Sequence, residues 1–336
     1  NIAKSVWRYI VMYDIITIGE ILVEVLAEHV GQVFYKPGTL LGPYPSGAPA
    51  IFIDQAARMG SKTAIVAKVG KDDFARLNRE RLSGDGVDIS HIAETDANST
   101  GVAFVTYFDD GSRQFIFHFS KAACGELCSE DIDESVIKNS RYLHIMGCSI
   151  TGSRTMGEAI MRSVRLAKSN GVKISFDPNI RPELLSGTIM EYYKEIIDEC
   201  DLLLTGKSEL RLLFDNCDVA ISKLLKQKER IVVVKDGSHG TNVYTRAESF
   251  FAPAYSASEI DPTGAGDCFD ATFLSGICSG LALRTAALRA NAAGAKAVEK
   301  RGPMEGNTTV EELDKFIASC ESPAITDISN LYNDYS

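Results

Sequence analysis

Short apolar or β-branched runs alternate with segments of helical period along most of the chain. The strand-like runs cover residues 15–18 continuing through 25, then 63–69, 142–146, 173–176, 202–204 and 231–234. Helical stretches lie between them, at residues 50–59, 156–169 and 190–199. Such alternation is typical of βαβ units. We therefore predict an α/β fold with a central, mostly parallel sheet that is flanked by helices on both faces.

The composition favours a folded globular protein and disfavours nucleic acid and membranes as partners. The 336 residues are 45% hydrophobic and 24% charged, which are ordinary proportions for such a protein. The 35 basic side chains against 45 acidic ones give a net charge of -10, which argues against nucleic acid as a partner. No apolar run reaches the roughly 18 residues of a membrane span, so we expect no membrane partner. Eight cysteines scattered through apparent core segments suit reduced thiols and a cytoplasmic location.

The chain shows no linker, internal repeat or low-complexity tract that would divide it. We predict a single domain over residues 12–320, with a polar C-terminal tail at 321–336. Residues 1–11 are interpreted as an extension or cloning remnant, because Met12 directly precedes a strand-like run.

One region departs from the βαβ pattern. Residues 101–108 and 113–119 are strand-like and are joined by a turn that contains an Asp-Gly pair, which predicts a hairpin. Phe115, Phe117 and Phe119 share one face of the second strand. The hairpin either packs on its own core or covers a ligand as a flap.

We predict a small β-sheet lid formed by approximately residues 23–44 and 98–121. An apolar lid face that is otherwise exposed also predicts a homodimer joined through the lids.

Polar or glycine residues follow most of the predicted strands. In open α/β sheets, ligands bind beyond the carboxyl ends of the strands, so these residues predict a site along one edge. Gly19 and Glu20 lie within the first predicted strand, and the residues that follow the other strands are Gly70, Asp72, Gly147, Asp177, Asn179, Gly206, Glu209, Lys235, Asp236 and Gly237.

The segment DPTGAGD at residues 261–267 is the most informative of all. An apolar stripe, Phe269, Phe273, Ile277 and Leu281, predicts a helix that starts near Gly264. Free N–H groups in its first turn would bind an anion such as phosphate, and the glycines would let the ligand approach the backbone. Asp267 would stay ionised there and accept a proton from a nearby hydroxyl, or it would only cap the helix. The segment is neither a Walker P-loop nor a dinucleotide fingerprint.

DPTGAGDCFDATFLSG, residues 261–276, resembles the C-terminal signature of the ribokinase-like, or PfkB, carbohydrate kinases. The resemblance extends from residue 13 to about residue 316 in the family's order. It implies a ribokinase-like fold, in which the backbone amides of Gly264, Ala265 and Gly266 form an anion hole. It also implies that Asp267 is the base that takes the proton from the sugar hydroxyl, which fits what phosphoryl transfer requires.

Three further segments resemble the family's sugar-binding parts. YPSGAPA at residues 44–50 is similar to its glycine-rich sugar-binding turn, with Ser46 in place of the first glycine and Ile51 near the usual asparagine. FDPNIR at residues 176–181 resembles the Asp-Pro-Asn-x-Arg block of fructokinases and 2-keto-3-deoxygluconate kinases. Glu20 and Glu24, on one face of the first predicted strand, match a position that contacts sugar hydroxyls. The substrate-binding residues implied are Glu20, Glu24, Ser46, Gly47, Ala48, Asp54 and Arg181, with Arg181 also able to pair with phosphate.

Other segments resemble the nucleotide and metal sites. KDGSHGT at residues 235–241 is similar to the nucleotide loop, and TGKSE at 205–209 to a block that has Asn where Gly206 stands. Glu209 is implied as an outer-sphere holder of Mg²⁺. The nucleotide-binding residues implied are Lys235, Gly237, Gly240, Thr263 and Asn291.

These resemblances imply an enzyme that phosphorylates a sugar hydroxyl with ATP and Mg²⁺, and they leave a monovalent cation open. The substrate expected is a ketohexose such as tagatose or fructose, or a sugar acid such as 2-keto-3-deoxygluconate. SGAPA followed by IFIDQ looks most like the tagatose kinase branch. The alternatives are a nucleoside kinase, a non-catalytic sugar- or nucleotide-binding protein on the same fold, and a nicotinamide oxidoreductase, which the absence of an early glycine fingerprint disfavours.

Overall fold

A computed structural model describes residues 13–181, 185–321 and 323–329. The predicted extension at 1–11 and the end of the predicted tail lie outside these residues. Within them, no helix has the length and apolar character that crossing a membrane requires.

The larger sheet has ten strands in the described part of the chain, in the order β14-β13-β12-β11-β10-β9-β8-β1-β4-β5. Pairing is parallel from β11 through to β5, and the edge formed by β12, β13 and β14 is antiparallel. The bounds are β1 Tyr13–Ile18, β4 Thr63–Gly70, β5 Ile92–Thr95, β8 Ser140–Met146, β9 Lys173–Asp177, β10 Leu202–Gly206, β11 Ile231–Lys235, β12 Gly240–Tyr244, β13 Ser249–Pro253 and β14 Thr326–Asp327.

A separate small sheet has the order β3-β2-β6-β7. Its strands are β2 Leu22–Ala27, β3 Leu40–Ser46, β6 Gly101–Tyr107 and β7 Arg113–His118. The predicted hairpin is confirmed as β6 and β7, in which Val105 pairs with Phe115. The expectation that the first strand continues through residue 25 was wrong. The chain leaves the large sheet at Gly19, whose φ of 156° ends β1, and β2 then joins the small sheet.

Helices cover both faces of the larger sheet, which confirms the predicted α/β fold. Successive residues of β1 show why: Ile15 belongs to one buried core and Ile16 to the other, because side chains alternate along a strand. The helices are α1 Ala48–Arg58, α2 Asp73–Gly84, α3 Glu134–Lys138, α4 Gly147–Ile150, α5 Arg154–Ser169, α6 Gly187–Glu199, α7 Lys207–Leu213, α8 Cys217–Gln227, α9 Ala265–Cys278, α10 Leu283–Ala297 and α11 Val310–Ser319.

The helix α9 is central to the first of these cores. Its residues from Asp267 to Gly276 are all buried, and it packs against α1 and α10. A helix that is apolar on most sides needs such full enclosure. Its first turn is thereby fixed at the carboxyl edge of the parallel strands. Leu281, the last residue of the predicted stripe, lies beyond the helix's end at Cys278.

Candidate active site

Two neighbouring cavities lie at the carboxyl edge of the parallel strands. The first, which we call the acidic cavity, has a volume of about 280 Å³ and contains Glu20, Glu24, Asp177, Glu209 and Asp267. The second, the glycine-lined cavity, has a volume of about 270 Å³ and contains Gly237, Gly240, Gly266 and Gly294. Lys235, Pro262 and Gly266 line both, so these three residues form a common wall. Both cavities lie at the edge where the sequence predicts the site.

The start of α9 forms part of that wall. Gly264 precedes the helix with a φ of 81°, and a side-chain carbon there would lie 2.4 Å from the Pro303 carbonyl oxygen. Only glycine fits such a position without strain. Free N–H groups in the first turn of a helix can bind an anion. Gly264 lines the acidic cavity, Ala265 lines the glycine-lined cavity, and Gly266 lines both.

The carboxyl group of Asp267 lies in the first turn of α9 and faces the acidic cavity. The residue is 7% exposed, and within the described ranges no hydrogen bond reaches its carboxylate. Capping does not explain it, because the residue before the helix is Gly264 and no side chain caps this end. Burial raises the pKa of Asp267 to about 7, with Asp177 adding to the rise while Lys235 and Arg181 oppose it. A carboxyl group tuned to this range can receive a proton at neutral pH.

Glu20 and Glu24 both reach the acidic cavity, although not from one strand as predicted. Glu20 lies in the bend after β1, where Ser149 and Cys148 donate to its carboxylate. Glu24 is on β2 of the small sheet, and the Ser46 hydroxyl donates to its Oε1 at 2.7 Å. Its Oε2 is buried and without a partner among the described residues, so it remains an acceptor for a ligand hydroxyl. Burial raises the pKa of Glu24 to about 7.

The turn that leads into α1 supplies the next part of the acidic cavity. Ser46, Gly47 and Ala48 all line it. Gly47 has a φ of 110°, and a side-chain carbon there would approach the Glu20 carbonyl oxygen to 2.5 Å. The glycine thus permits a close approach of this turn to the bend after β1.

Asp54 does not line either cavity, so its predicted sugar contact is not retained. Its carboxylate is fully buried and accepts from Arg81 at 2.9 Å and from Asn307 at 2.7 Å. Asp54 lies one helical turn beyond Ala50, and its side chain points toward α2 rather than toward the turn at residues 46–48. A buried carboxylate requires such a partner. The ion pair with Arg81 therefore explains why an aspartate occupies position 54, and no ligand contact is needed to explain it.

Arg181 lines the acidic cavity, and its guanidinium carbon lies 5.9 Å from the Phe115 ring centroid. Arg113 approaches the same ring from β7, at 5.6 Å. Phe115, Phe117 and Phe119 line this cavity too. Their shared apolar face therefore lies against this cavity rather than against a core of the hairpin's own.

Three of the predicted nucleotide residues besides Lys235 lie in the glycine-lined cavity: Gly237, Gly240 and Asn291. The Asn291 amide donates to the Ala252 and Pro253 carbonyls and accepts from Thr241, so it fixes the cavity's wall. Thr263 was expected here but lines only the acidic cavity. Its hydroxyl accepts from Arg113 at 2.9 Å, because β7 approaches the segment before α9.

Glu209 lines the acidic cavity, and each of its oxygens accepts a backbone N–H at 2.7 Å, from Ile180 and from Gly206. Each carboxylate oxygen keeps a second lone pair for a water molecule. The described residues contain no group of three or more metal-ligating side chains. This arrangement fits Mg²⁺ that arrives with nucleotide phosphates and keeps its waters, with Glu209 as an outer-sphere partner.

Sequence reasoning missed several residues of the two cavities. Cys148 and Thr151 follow β8 and line the acidic cavity, as does Arg113. Thr241, Tyr255 and Ala295 line the glycine-lined cavity. A polar residue after β8 was a usable signal for Thr151, whereas Tyr255 and Arg113 come from segments whose position depends on the tertiary fold.

Comparisons with known proteins show the family to which the chain belongs. A 5-dehydro-2-deoxygluconokinase of Halalkalibacterium halodurans is 26% identical over 323 residues, covering 93% of this chain and 97% of that protein. "Probable fructokinase-5" of Arabidopsis thaliana is 29% identical, covering 91% of this chain and 97% of that protein. A crystal structure from E. coli, described as a candidate ribokinase II in complex with ATP and Mg²⁺, is 42% identical. Its TM-score is 0.87, and the match covers 91% of this chain and 99% of that one. The model of the pfkB family carbohydrate kinases matches residues 13–310, and the chain therefore belongs to that family.

Proposed function

We propose that this carbohydrate kinase transfers the γ-phosphoryl group of ATP to a hydroxyl of a ketohexose or a sugar acid. ATP would occupy the glycine-lined cavity and the sugar the acidic cavity, so the γ-phosphate would meet the hydroxyl at the common wall. The observation that carries the proposal is the buried Asp267 carboxyl group, which faces the acidic cavity without a hydrogen-bond partner in the described chain.

The roles of the residues follow from their places. Asp267 takes the proton of the sugar hydroxyl, and the amides at residues 264–266 hold the transferring phosphoryl group. Glu20, Glu24, Ser46 and the turn at 47–48 bind the sugar hydroxyls, because they surround the cavity with acceptors and donors. Mg²⁺, with Glu209 as its outer-sphere partner, supplies neutralisation of phosphate charge when bound.

The small sheet acts as a lid in this proposal. The Tyr107 hydroxyl donates to Asp261 Oδ2 at 2.8 Å, and Arg113 donates to Thr263. Both lid contacts reach the segment directly before α9. Covering the cavity excludes water, which would otherwise compete with the sugar for the phosphoryl group.

A sugar acid carries a negative charge and a ketohexose does not, and the acidic cavity contains arginine side chains that can distinguish the two. Arg181 has no carboxylate partner among the described residues, and Arg113 lies at the same ring. A substrate carboxylate would find its bidentate partner there. This feature favours a sugar acid, whereas the resemblance to tagatose and fructose kinases favours a neutral ketohexose.

A panel of sugars assayed by ADP release tests the proposal. It would contain tagatose, fructose, 2-keto-3-deoxygluconate, 5-dehydro-2-deoxygluconate and adenosine. We expect turnover with a ketohexose or a sugar acid; preference for adenosine would contradict the substrate class, and no turnover with any sugar would contradict the proposed function.

Asp267→Asn tests the role of the base. We expect turnover to fall by about 100- to 10,000-fold, as is typical of general-base loss, while ATP binding stays largely intact. The control is Asp73→Asn, which changes an exposed carboxylate in the first turn of α2. Undiminished turnover in Asp267→Asn would refute the assignment.

A further inference from the structure

Three charged side chains meet at the common wall of the two cavities. The Lys235 ammonium at the end of β11 lies 2.9 Å from both carboxylate oxygens of Asp270, on α9. It lies 3.2 Å from Asp177 Oδ2, at the end of β9. The Asp270 and Asp177 side chains are 0% and 3% exposed, whereas that of Lys235 is 16% exposed. Two enclosed carboxylates thus hold an ammonium that still reaches the cavities.

The ammonium also lies beside the anion-binding turn. A side-chain carbon placed on Gly266 would be 3.8 Å from the Lys235 Nζ, and both residues line both cavities. An anion held by the amides of this turn would therefore be close to a positive charge. An ammonium acts on phosphate as a compact point charge with three N–H donors.

Asp267 and Asp270 are three residues apart on α9, so they project from neighbouring positions on one side of the helix. Asp267 lines the acidic cavity, whereas Asp270 lines neither cavity and contacts Lys235. One helix face thereby carries the proposed proton acceptor and, one turn later, the anchor of the neighbouring cation.

The charge of the cluster favours a lysine that stays protonated. Burial alone would lower the pKa of Lys235, but the Asp177, Asp270 and Glu209 carboxylates raise it above its ordinary value. The ammonium is then available as a fixed charge rather than as a proton donor.

We propose that Asp270 is a positioning residue that, together with Asp177, holds the Lys235 ammonium against the phosphoryl group in transit between the two cavities. This inference rests on the proposed function. In the transfer, the sugar oxygen bonds to the γ-phosphorus, and the bond to the β–γ bridging oxygen breaks. The electron pair of that bond leaves with ADP, and the hydroxyl proton passes to Asp267. Lys235 keeps its protons and balances the charge on the transferring group and the leaving oxygen.

A double-mutant cycle distinguishes this role from simple packing of an ion cluster. Lys235→Met should lower kcat by about 100- to 1,000-fold, the range for loss of one donor to a developing charge. Asp270→Ala should lower kcat by roughly 10- to 100-fold, the range for loss of a group that orients a functional side chain. Neither change should alter the KM for the sugar by more than about threefold, because the effect belongs to the transition state.

The decisive measurement is the combination of the two changes. If Asp270 acts through Lys235, adding Asp270→Ala to Lys235→Met should change kcat by less than about twofold. Full additivity of the two losses, or an unchanged kcat in Asp270→Ala alone, would overturn the inference. The control is Lys68→Met, which breaks the Lys68–Asp131 pair on β4, since the Lys68 side chain is 15% exposed and thus matches Lys235. We expect it to leave kcat unchanged.

Thermal melting shows whether the Asp270 variants fold, and the activity of the wild type tests the proposed function separately from the positioning role. If Asp270→Ala does not fold, Asp270→Asn replaces it in the cycle, because the amide keeps one acceptor oxygen for Lys235. We expect Asp270→Asn to retain more kcat than any folded Asp270→Ala. If the wild-type protein is inactive with every sugar, the proposed function itself is refuted. If the wild type is active but substitution of Asp270 leaves kcat unchanged, only the positioning role is refuted.

Discussion

Asp267 is expected to control the pH dependence of turnover. Because burial, followed by Asp177, raises its pKa to about 7, the group is protonated below that pH and cannot act as a base there. We expect kcat/KM to fall roughly tenfold per pH unit on the acid side of about pH 7. Initial rates between pH 5.5 and 9 at constant ionic strength measure this limb.

Glu24 provides the control for that profile, since its pKa is also raised to about 7, chiefly by burial. Glu24→Gln should weaken sugar binding while leaving the acid limb in place. Disappearance of the limb in Glu24→Gln would show that Glu24, and not Asp267, is the titrating group.

The individual site residues were predictable to the extent that local sequence determines their place. Gly264, Gly266 and Asp267 lie where a turn leads into a helix, so the sequence alone correctly located them at the start of α9. Asp54 shows the limit. Its position on α1 was correct, but its direction depends on Arg81 and Asn307, which lie 27 and 253 residues away in the chain. Such long-range partners leave no local signal.

The contact between α1 and α2 is expected to contribute strongly to stability. Arg81→Met would leave the buried Asp54 carboxylate without its ion-pair partner, which typically costs about 3–5 kcal/mol. Urea unfolding measures this loss. Since Asp54 lies outside both cavities, the folded fraction of the variant should keep its KM for the sugar.

Arg76→Met is the matched control on the same helix. Its partner Glu80 is 64% exposed, and an exposed pair of this kind contributes less than about 1 kcal/mol. Equal destabilisation by the two variants would contradict the view of Asp54 as a structural carboxylate.

The small sheet is expected to act on catalysis through its contact with the segment before α9. Tyr107→Phe removes the hydroxyl that donates to Asp261, a hydrogen bond to a charged group of roughly 1.5–3 kcal/mol. We expect kcat/KM for the sugar to fall about tenfold or more, with little change in the KM for ATP. Tyr35→Phe, at an exposed tyrosine, is the control. An unaltered kcat/KM in Tyr107→Phe would show that the lid contact is not needed.

Some secondary-structure elements were predictable from local sequence and others were not. The hairpin β6–β7 was predictable because its Asp-Gly turn and its alternating side chains are local features. The break between β1 and β2 was not. An apolar run from residue 15 to residue 25 fits one long strand equally well, and only the assembled sheets show that Gly19 turns the chain from one sheet to the other.

His144 on β8 is expected to make the fold sensitive to acid. It is fully buried on β8, its ring stacks on Phe52 at 3.7 Å, and its Nδ1 lies 3.0 Å from the Ser175 hydroxyl. Burial lowers the pKa of His144 to about 3. Between pH 6.5 and 3 the unfolded chain therefore binds the proton more readily, so stability falls as the pH falls through this window.

From pH 7 to pH 5 this single group should reduce the free energy of unfolding by about 2 kcal/mol. Urea unfolding at the two pH values measures this decrease. In His144→Gln we expect the free energy of unfolding to decrease by about 2 kcal/mol less than it does in the wild type. His29→Gln, at an exposed histidine, should behave like the wild type. Identical pH dependence in all three proteins would contradict the assignment.

For the whole molecule, composition and alternation were enough to predict the class of fold, but not the order of its strands. The antiparallel edge β12–β14 and the position of β1 between β8 and β4 depend on which helices pack together. The homodimer stays a prediction. Phe115, Phe117 and Phe119 line the acidic cavity, although Phe117 is still 41% exposed, whereas Ile116 lies on the other face of β7 and is 50% exposed. Analytical ultracentrifugation measures the oligomeric state.

The two cavities draw most of their linings from different parts of the chain. The acidic cavity takes residues from the small sheet and from the bend after β1, while the glycine-lined cavity takes them from β12, α10 and the segment after β13. Among the described residues, only Lys235, Pro262 and Gly266 line both cavities. Substitutions can therefore change the lining of the acidic cavity without changing that of the glycine-lined cavity. If the proposed function is correct, a chain built this way can change its sugar specificity over evolutionary time while its ATP site and its phosphoryl-transfer chemistry stay the same.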